Sequence, residues 1–223
     1  MQSRLLPEID GKWQAHPANR WQEEFSIAKK LDLDLIEFIF DSPSAACNPL
    51  VSKEGINALS KIQDTHEIRV ESICADYFMQ NSLLDMNIAH KSISTLKMLI
   101  KNGKKLKIKN IVIPLLDNSS ISKAISNTDL SLNKYFLSLV NFLMPALEKL
   151  HDINICFETD LGPQLQLEFI NSFNSDNVCI NYDIGNSAGR GFSIEEEFNH
   201  YGHHVSNIHI KDKKFNSPSI KLG

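Results

Sequence analysis

Short runs rich in β-branched and aromatic residues alternate along this chain with longer segments whose apolar residues recur every three or four positions. The short runs are residues 35–40 (LIEFIF), 68–74 (IRVESIC), 110–115 (NIVIPL), 154–158 (NICFE), 178–183 (VCINYD) and 205–210 (VSNIHI). Their length and residue types are those of β-strands. Several are apolar almost throughout, as parallel strands covered by helices on their faces must be.

The intervening segments are amphipathic. Trp21, Phe25 and Ala28 share a stripe over residues 21–30, and Ile56, Leu59 and Ile62 share one in the next segment. Ile93, Leu96, Leu99 and Ile100 mark a longer helix. Phe136, Leu139, Val140, Leu143 and Leu147 mark another, in which Pro145 is expected to kink or break the turn. Residues 163–173 and 193–201 complete the set, the last opened by a capping box of Ser193 and Glu196. Such alternation implies an α/β fold with a parallel sheet. A doubly wound sheet and a (β/α)8 barrel both satisfy it. No linker or low-complexity tract interrupts the pattern, so a single domain over residues 1–223 is expected. The polar, Ser/Asn-rich residues 118–132 are long for a loop and are expected to form a mobile flap over the site.

A chain of 223 residues can bury a sizeable core. Its net charge of -4 offers no bulk attraction to nucleic acid or to an anionic membrane, so neither is expected as a partner. The four cysteines, Cys47, Cys74, Cys156 and Cys179, form no CxxC pair, and three lie in strand-like runs. They are expected to be reduced thiols of a cytoplasmic protein, without a zinc–cysteine site. No stretch is apolar enough to span a bilayer, and the first residues lack a signal-peptide core.

The polar residues fall at particular places. Glu158 ends one strand-like run, Asp183 ends the next, and His209 stands near the end of the third. In parallel α/β folds the carboxyl ends of the strands form the functional face. Two carboxylates and an imidazole converging there suit Mg²⁺, Mn²⁺, Co²⁺ or Zn²⁺. Taken singly, an acid at a strand end is more often a loop cap, and a histidine in an apolar strand more often a hydrogen-bonded core residue. Equivalent places on three successive strands are harder to reach by accident.

The stretches FETD, NYDIGNSAGRGF and NIHIKDK are similar to the last half of the sugar-phosphate isomerase/epimerase branch of the xylose-isomerase-like TIM barrels. RWQEEFSIAKKLDLDLIEFIFD resembles that family's first helix and second strand, and MQSRL the segment after its first strand. The resemblance is most specific in DIGN and HIKD and weakest between Phe78 and Asn154. It implies a (β/α)8 barrel, a divalent-metal cofactor, and Glu158, Asp183 and His209 as ligands, with Glu158 also an acid/base group. Asn186 stands where many relatives carry histidine and the pentulose-phosphate epimerases carry asparagine. The resemblance also places Lys211 at the mouth of the seventh strand, where it could hold a phosphate or hydroxyl. It sets Glu37 inward at the end of the second strand, with Arg4 or Lys211 as a partner if it is merely a buried acid. Arg4 and Glu37 are thus candidate substrate contacts. A small-molecule sugar or sugar phosphate is the implied substrate, and association into a homo-oligomer is left open.

Two departures stand out. The family's fourth ligand, a glutamate on the eighth strand and the second acid/base group, has no counterpart before the chain stops at SIKLG, and the apolar first strand is missing before MQSRL. Six of eight barrel strands are therefore expected, in a fragment that is incomplete at both ends, inactive alone and prone to aggregate through its two open edges. The chemistry implied is proton abstraction beside a carbonyl through an enediolate, giving isomerisation or epimerisation. An endonuclease IV-type nuclease fits poorly, because Asn186 replaces a histidine and the third and fourth strands end without one. A dehydratase on the same barrel and a non-catalytic degenerate barrel are the remaining alternatives.

Overall fold

The computed structural model describes residues 5–9, 11, 14–85, 88–148, 152–215, 217, 219 and 220. The chain divides into two compact units, Met1–Ile111 and Val112–Gly223.

In the first unit, α1 (Trp21–Lys30) leads into β1 (Leu35–Ile39), α2 (Lys53–His66) into β2 (Arg69–Cys74), and the short α3 (Tyr77–Gln80) is followed by α4 (Ala89–Leu106). β1 and β2 pair in parallel, with Glu37 opposite Ser72 and Ile39 opposite Cys74. The stripe of α1 is buried as its periodicity demands: Trp21, Phe25 and Ala28 are each 5 % exposed or less. Trp21 stands edge-on to Phe38 of β1, with ring centroids 5.9 Å apart. Ser52 caps α2 by accepting from the Gly55 amide at 2.9 Å. Ile62 and Ile93 are only half-buried, and the faces of α2 and α4 are completed instead by Gln63 and by Ser92, Gly103 and Leu106.

β3 (Asn110–Leu115) carries the chain into the second unit. There follow α5 (Ile121–Ser126), α6 (Leu132–Leu147), β4 (Asn154–Thr159), α7 (Pro163–Asn171), β5 (Val178–Asp183), α8 (Ile184–Arg190), α9 (Ile194–Tyr201), β6 (Val205–His209) and a small antiparallel pair, β7 (Asp212–Lys213) with β8 (Ser219–Ile220). In this unit the strands lie side by side in chain order, β3-β4-β5-β6. The two faces are chemically distinct because strand side chains alternate. On the outer face Phe157 packs on Phe169 and Phe173, at 5.3 and 5.5 Å, and Tyr182 on Phe198 at 5.0 Å. On the inner face Val112, Cys156 and Cys179 form a small apolar cluster. Beyond it, toward the carboxyl ends, the same face turns polar.

Parallel strands in sequence order, each crossover made by a helix, are the pattern of a TIM barrel, and the chain holds six such strands of an incomplete one. The six strands lie within one residue of the expected runs. All four cysteines are free thiols. Among the described residues no helix is long and apolar enough to cross a membrane. Two expectations are corrected. Residues 118–132 are not one loop: Ser120 caps α5 by accepting from Lys123 at 3.0 Å, and Asp160 binds Ser122 from the end of β4. Pro145 does not end α6, which runs two residues further. It sits in the last turn, where the lost amide bond interrupts little helix. Among the described residues β6 pairs with β5 alone, and Ile208 and Ile210 are 51 % and 71 % exposed.

Candidate metal centre

The registers of β4, β5 and β6 assemble the site. Asn181 lies opposite Asn207, and Asp183 opposite His209, after a register shift between Ile180 and Asn181. Residues two apart share a face, so Asn181 and Asp183 point the same way, as do Asn207 and His209. Glu158, two residues beyond Cys156, joins them. His209 Nδ1 is 3.5 Å from Glu158 Oε2 and 3.9 Å from Asp183 Oδ2. One ligand atom from each of the three lies within 4.8 Å of the others. An ion with bonds of roughly 2.0–2.2 Å spans donors about 4.4 Å apart, so this donor set fits a divalent cation with little movement.

The carboxylates are buried, Glu158 at 7 % and Asp183 at 5 % exposure. Glu158 accepts from Asn186 Nδ2 on Oε1 at 2.5 Å and from Asn181 Nδ2 on Oε2 at 2.7 Å. Burial alone would raise its carboxyl. The hydrogen bond and charge of His209, the Lys211 charge and the Asn186 bond outweigh that and hold it below the usual carboxylate range. Asp183 is pushed upward by burial and by the Glu158 charge, against the pull of Lys211. Its Oδ1 caps α8 by accepting from the Asn186 amide at 2.8 Å. Its Oδ2 has the Lys211 ammonium 2.6 Å away and His209 Nδ1 at 3.9 Å.

Two glycines bring the lysines there. A Cβ on Gly185 would fall 2.6 Å from Lys211 Cγ and 2.8 Å from its carbonyl oxygen, and one on Gly189 2.8 Å from Lys213 Cδ. The segment after β6 can therefore lie against α8, with Lys211 on Asp183 and Lys213 Nζ 3.4 Å from Asn186 Oδ1. Behind the sheet, buried Glu197 accepts from Tyr182 at 2.8 Å, from Tyr201 at 2.7 Å and from Ser187, tying β5, α8 and α9 together. Burial is the first cause that pushes the Tyr182 phenol up to about 12. A cavity of ≈ 30 Å³ adjoins Glu158 and Asn186 on this side, far too small for a sugar.

Of the residues singled out in the sequence, Glu158, Asp183, His209, Asn186 and Lys211 come together. Glu37 is buried in the first unit, where Ser72 Oγ donates to it at 2.6 Å. Arg4 lies outside the described residues. Sequence reasoning missed Asn181, Asn207 and Lys213. The period-two spacing of Asn181 from Asp183 and of Asn207 from His209 was the available signal.

No curated protein sequence matches this chain. Among solved structures it is similar to a xylose isomerase-like TIM-barrel protein from Mycobacterium smegmatis in complex with magnesium, at 16 % identity and TM-score 0.63, over 87 % of this chain and 67 % of that one. It is similar to 3-keto-D-glucoside 4-epimerase from E. coli, at 13 % identity and TM-score 0.65, over 86 % and 73 %. D-psicose 3-epimerase from Clostridium cellulolyticum H10, solved with D-tagatose, matches at 17 % identity and TM-score 0.64, over 85 % and 66 %. At these identities the likeness is one of fold. The profile of the xylose isomerase-like TIM barrel matches residues 25–221. With that match over most of its length, the chain belongs to the xylose isomerase-like TIM-barrel family.

Proposed function

We propose that this protein is a divalent-metal-dependent isomerase or epimerase of a sugar or sugar phosphate, with Glu158, Asp183 and His209 as ligands to Mn²⁺, Mg²⁺, Co²⁺ or Zn²⁺. The observation that carries it is the convergence of those three donors within 4.8 Å at the carboxyl ends of adjacent parallel strands. Similar folds crystallised with magnesium and with a ketohexose support the substrate class.

The bound ion would supply electrostatic stabilisation to a substrate carbonyl oxygen as negative charge develops there. Glu158 is the base. It removes the proton from the carbon beside the carbonyl, and the substrate becomes an enediolate. Its amide partners, Asn181 and Asn186, keep it ionised and aimed. Return of the proton from Glu158 to the neighbouring carbon gives the isomer, and the epimer requires a second acid that delivers a proton to the opposite face of the same carbon. The ammonium of Lys211, 24 % exposed beside Asp183, is placed to hold a hydroxyl or phosphate oxygen, and Asn186 to hold a hydroxyl.

The test strips the protein with chelator and titrates Mn²⁺ and Co²⁺ by calorimetry. A panel of ketohexoses and pentulose phosphates is then incubated with each form in D₂O. Proton NMR should show loss of the hydrogen beside the carbonyl for at least one substrate, only in the metal-loaded protein. Metal binding without exchange on any member of the panel would remove the isomerase reading.

A further inference from the structure

Asn181 is an expensive residue where it stands. It lies mid-strand on the inner face of β5, 3 % exposed, one pleat beyond the apolar cluster of Val112, Cys156 and Cys179. A carboxamide buried there must have its hydrogen bonds made or destabilise the fold. Its amide nitrogen donates to Glu158 Oε2 at 2.7 Å and stands 3.1 Å from His209 Nδ1. Its carbonyl oxygen accepts from Asn207 Nδ2 at 2.7 Å. The three side chains make a ladder across β4, β5 and β6.

The ladder has a direction. The ionised Glu158 carboxylate can only accept, so the Asn181 NH₂ group is turned toward it and the Asn181 oxygen toward Asn207. His209 Nδ1 is the nitrogen that faces Glu158 and Asp183.

We infer that Asn181, anchored by Asn207, is a positioning residue of the metal site. It holds the Glu158 carboxylate in place beside His209 Nδ1. The inference rests on the metal reading above and adds residues outside the ligand set. Partners that orient ligating groups in this way typically contribute about 10–100-fold to metal affinity.

Cobalt(II) titration of the purified chain tests it, read by calorimetry and by the visible spectrum of the bound ion, with thermal unfolding of the metal-free form alongside. Asn181→Leu keeps the size and removes the donor, and should weaken Co²⁺ binding by about 10–100-fold and alter the spectrum. Asn207→Ala leaves Asn181 in place but frees its amide to turn over. It should weaken binding by a smaller factor, about 3–10-fold, with a spectral change in the same sense. A purely structural role would lower the unfolding temperature and leave the affinity and spectrum of the folded protein unchanged. That result in both variants overturns the inference while the metal reading stands. Should Asn181→Leu fail to fold, Asn207→Ala decides the matter alone. A wild-type protein that takes up no cobalt overturns the metal reading, and this inference with it.

Discussion

Replacing Glu158 by glutamine keeps the shape of the side chain, yet the surroundings make it more than a loss of charge. Each carboxylate oxygen of Glu158 accepts from an amide, Oε1 from Asn186 and Oε2 from Asn181. Glutamine offers one oxygen and one NH₂ group, so one of the two amides would meet a donor. Asn181 cannot turn over, because its own oxygen is taken by Asn207. Asn186 can, since its oxygen faces only the long 3.4 Å contact from Lys213. In the expected rearrangement the introduced glutamine keeps its oxygen toward Asn181, while Asn186 turns its carbonyl toward the new NH₂ group. Two charge-assisted bonds of about 1.5–3 kcal/mol then become neutral ones of about 0.5–1.5 kcal/mol. Relief from burying a charge offsets part of this. The carboxyl is held below its ordinary range in the folded protein, so the partners outweigh burial and the net sign is destabilising. Urea unfolding of the metal-free Glu158→Gln protein should show a loss of about 1–3 kcal/mol, with a single cooperative transition. In the metal-loaded protein, exchange of the substrate hydrogen in D₂O should fall by at least about 10²–10⁴-fold. Undiminished exchange would show that Glu158 is not the base. A protein that cannot fold would show that Asn186 does not turn as argued.

His16 is 3 % exposed, and burial lowers its pKa from 6.5 to about 4 against the opposing pull of Asp41. The unfolded chain takes up this proton first as pH falls, so stability is intact above 6.5 and is lost from there down to about 4, by up to roughly 3 kcal/mol. Urea unfolding across that range should give a flatter acid limb for His16→Leu, and an unchanged limb would contradict the assignment. Gly185→Ala should destabilise by about 1–3 kcal/mol in the same assay, because the new methyl meets the Lys211 backbone, which cannot move aside as a side-chain tip can. Wild-type stability would mean that the segment after β6 does not lie against α8. Tyr201→Phe removes one donor to buried Glu197 and should cost about 1.5–3 kcal/mol, read from the shift of the urea midpoint at constant slope.

The sequence alone located all six parallel strands to within a residue, the buried stripes of α1 and α6, and the strand-end places of Glu158, Asp183 and His209. These are local properties. Apolar periodicity follows from the geometry of one helix or strand, and a strand's end is marked by its own composition. What the chain does between elements was not legible in that way. IGNSAGR carries two glycines, which oppose a helix by propensity, yet it forms α8. Asp183 caps it, and the same glycines admit Lys211 and Lys213 against its side. Nor does any local pattern couple Asn181 to Glu158 and Asn207, which are 23 and 26 residues away along the chain. The register shift at Ile180 and Asn181 sets that pairing. A shift of one residue would turn every side chain of β6 to the other face and take His209 away from the carboxylates. Register is decided only when strands meet, because it is a choice among whole-strand alignments that bury different faces. For that reason composition placed the candidate ligands on their strands, and tertiary structure alone brought them to one point and supplied the asparagines that aim them.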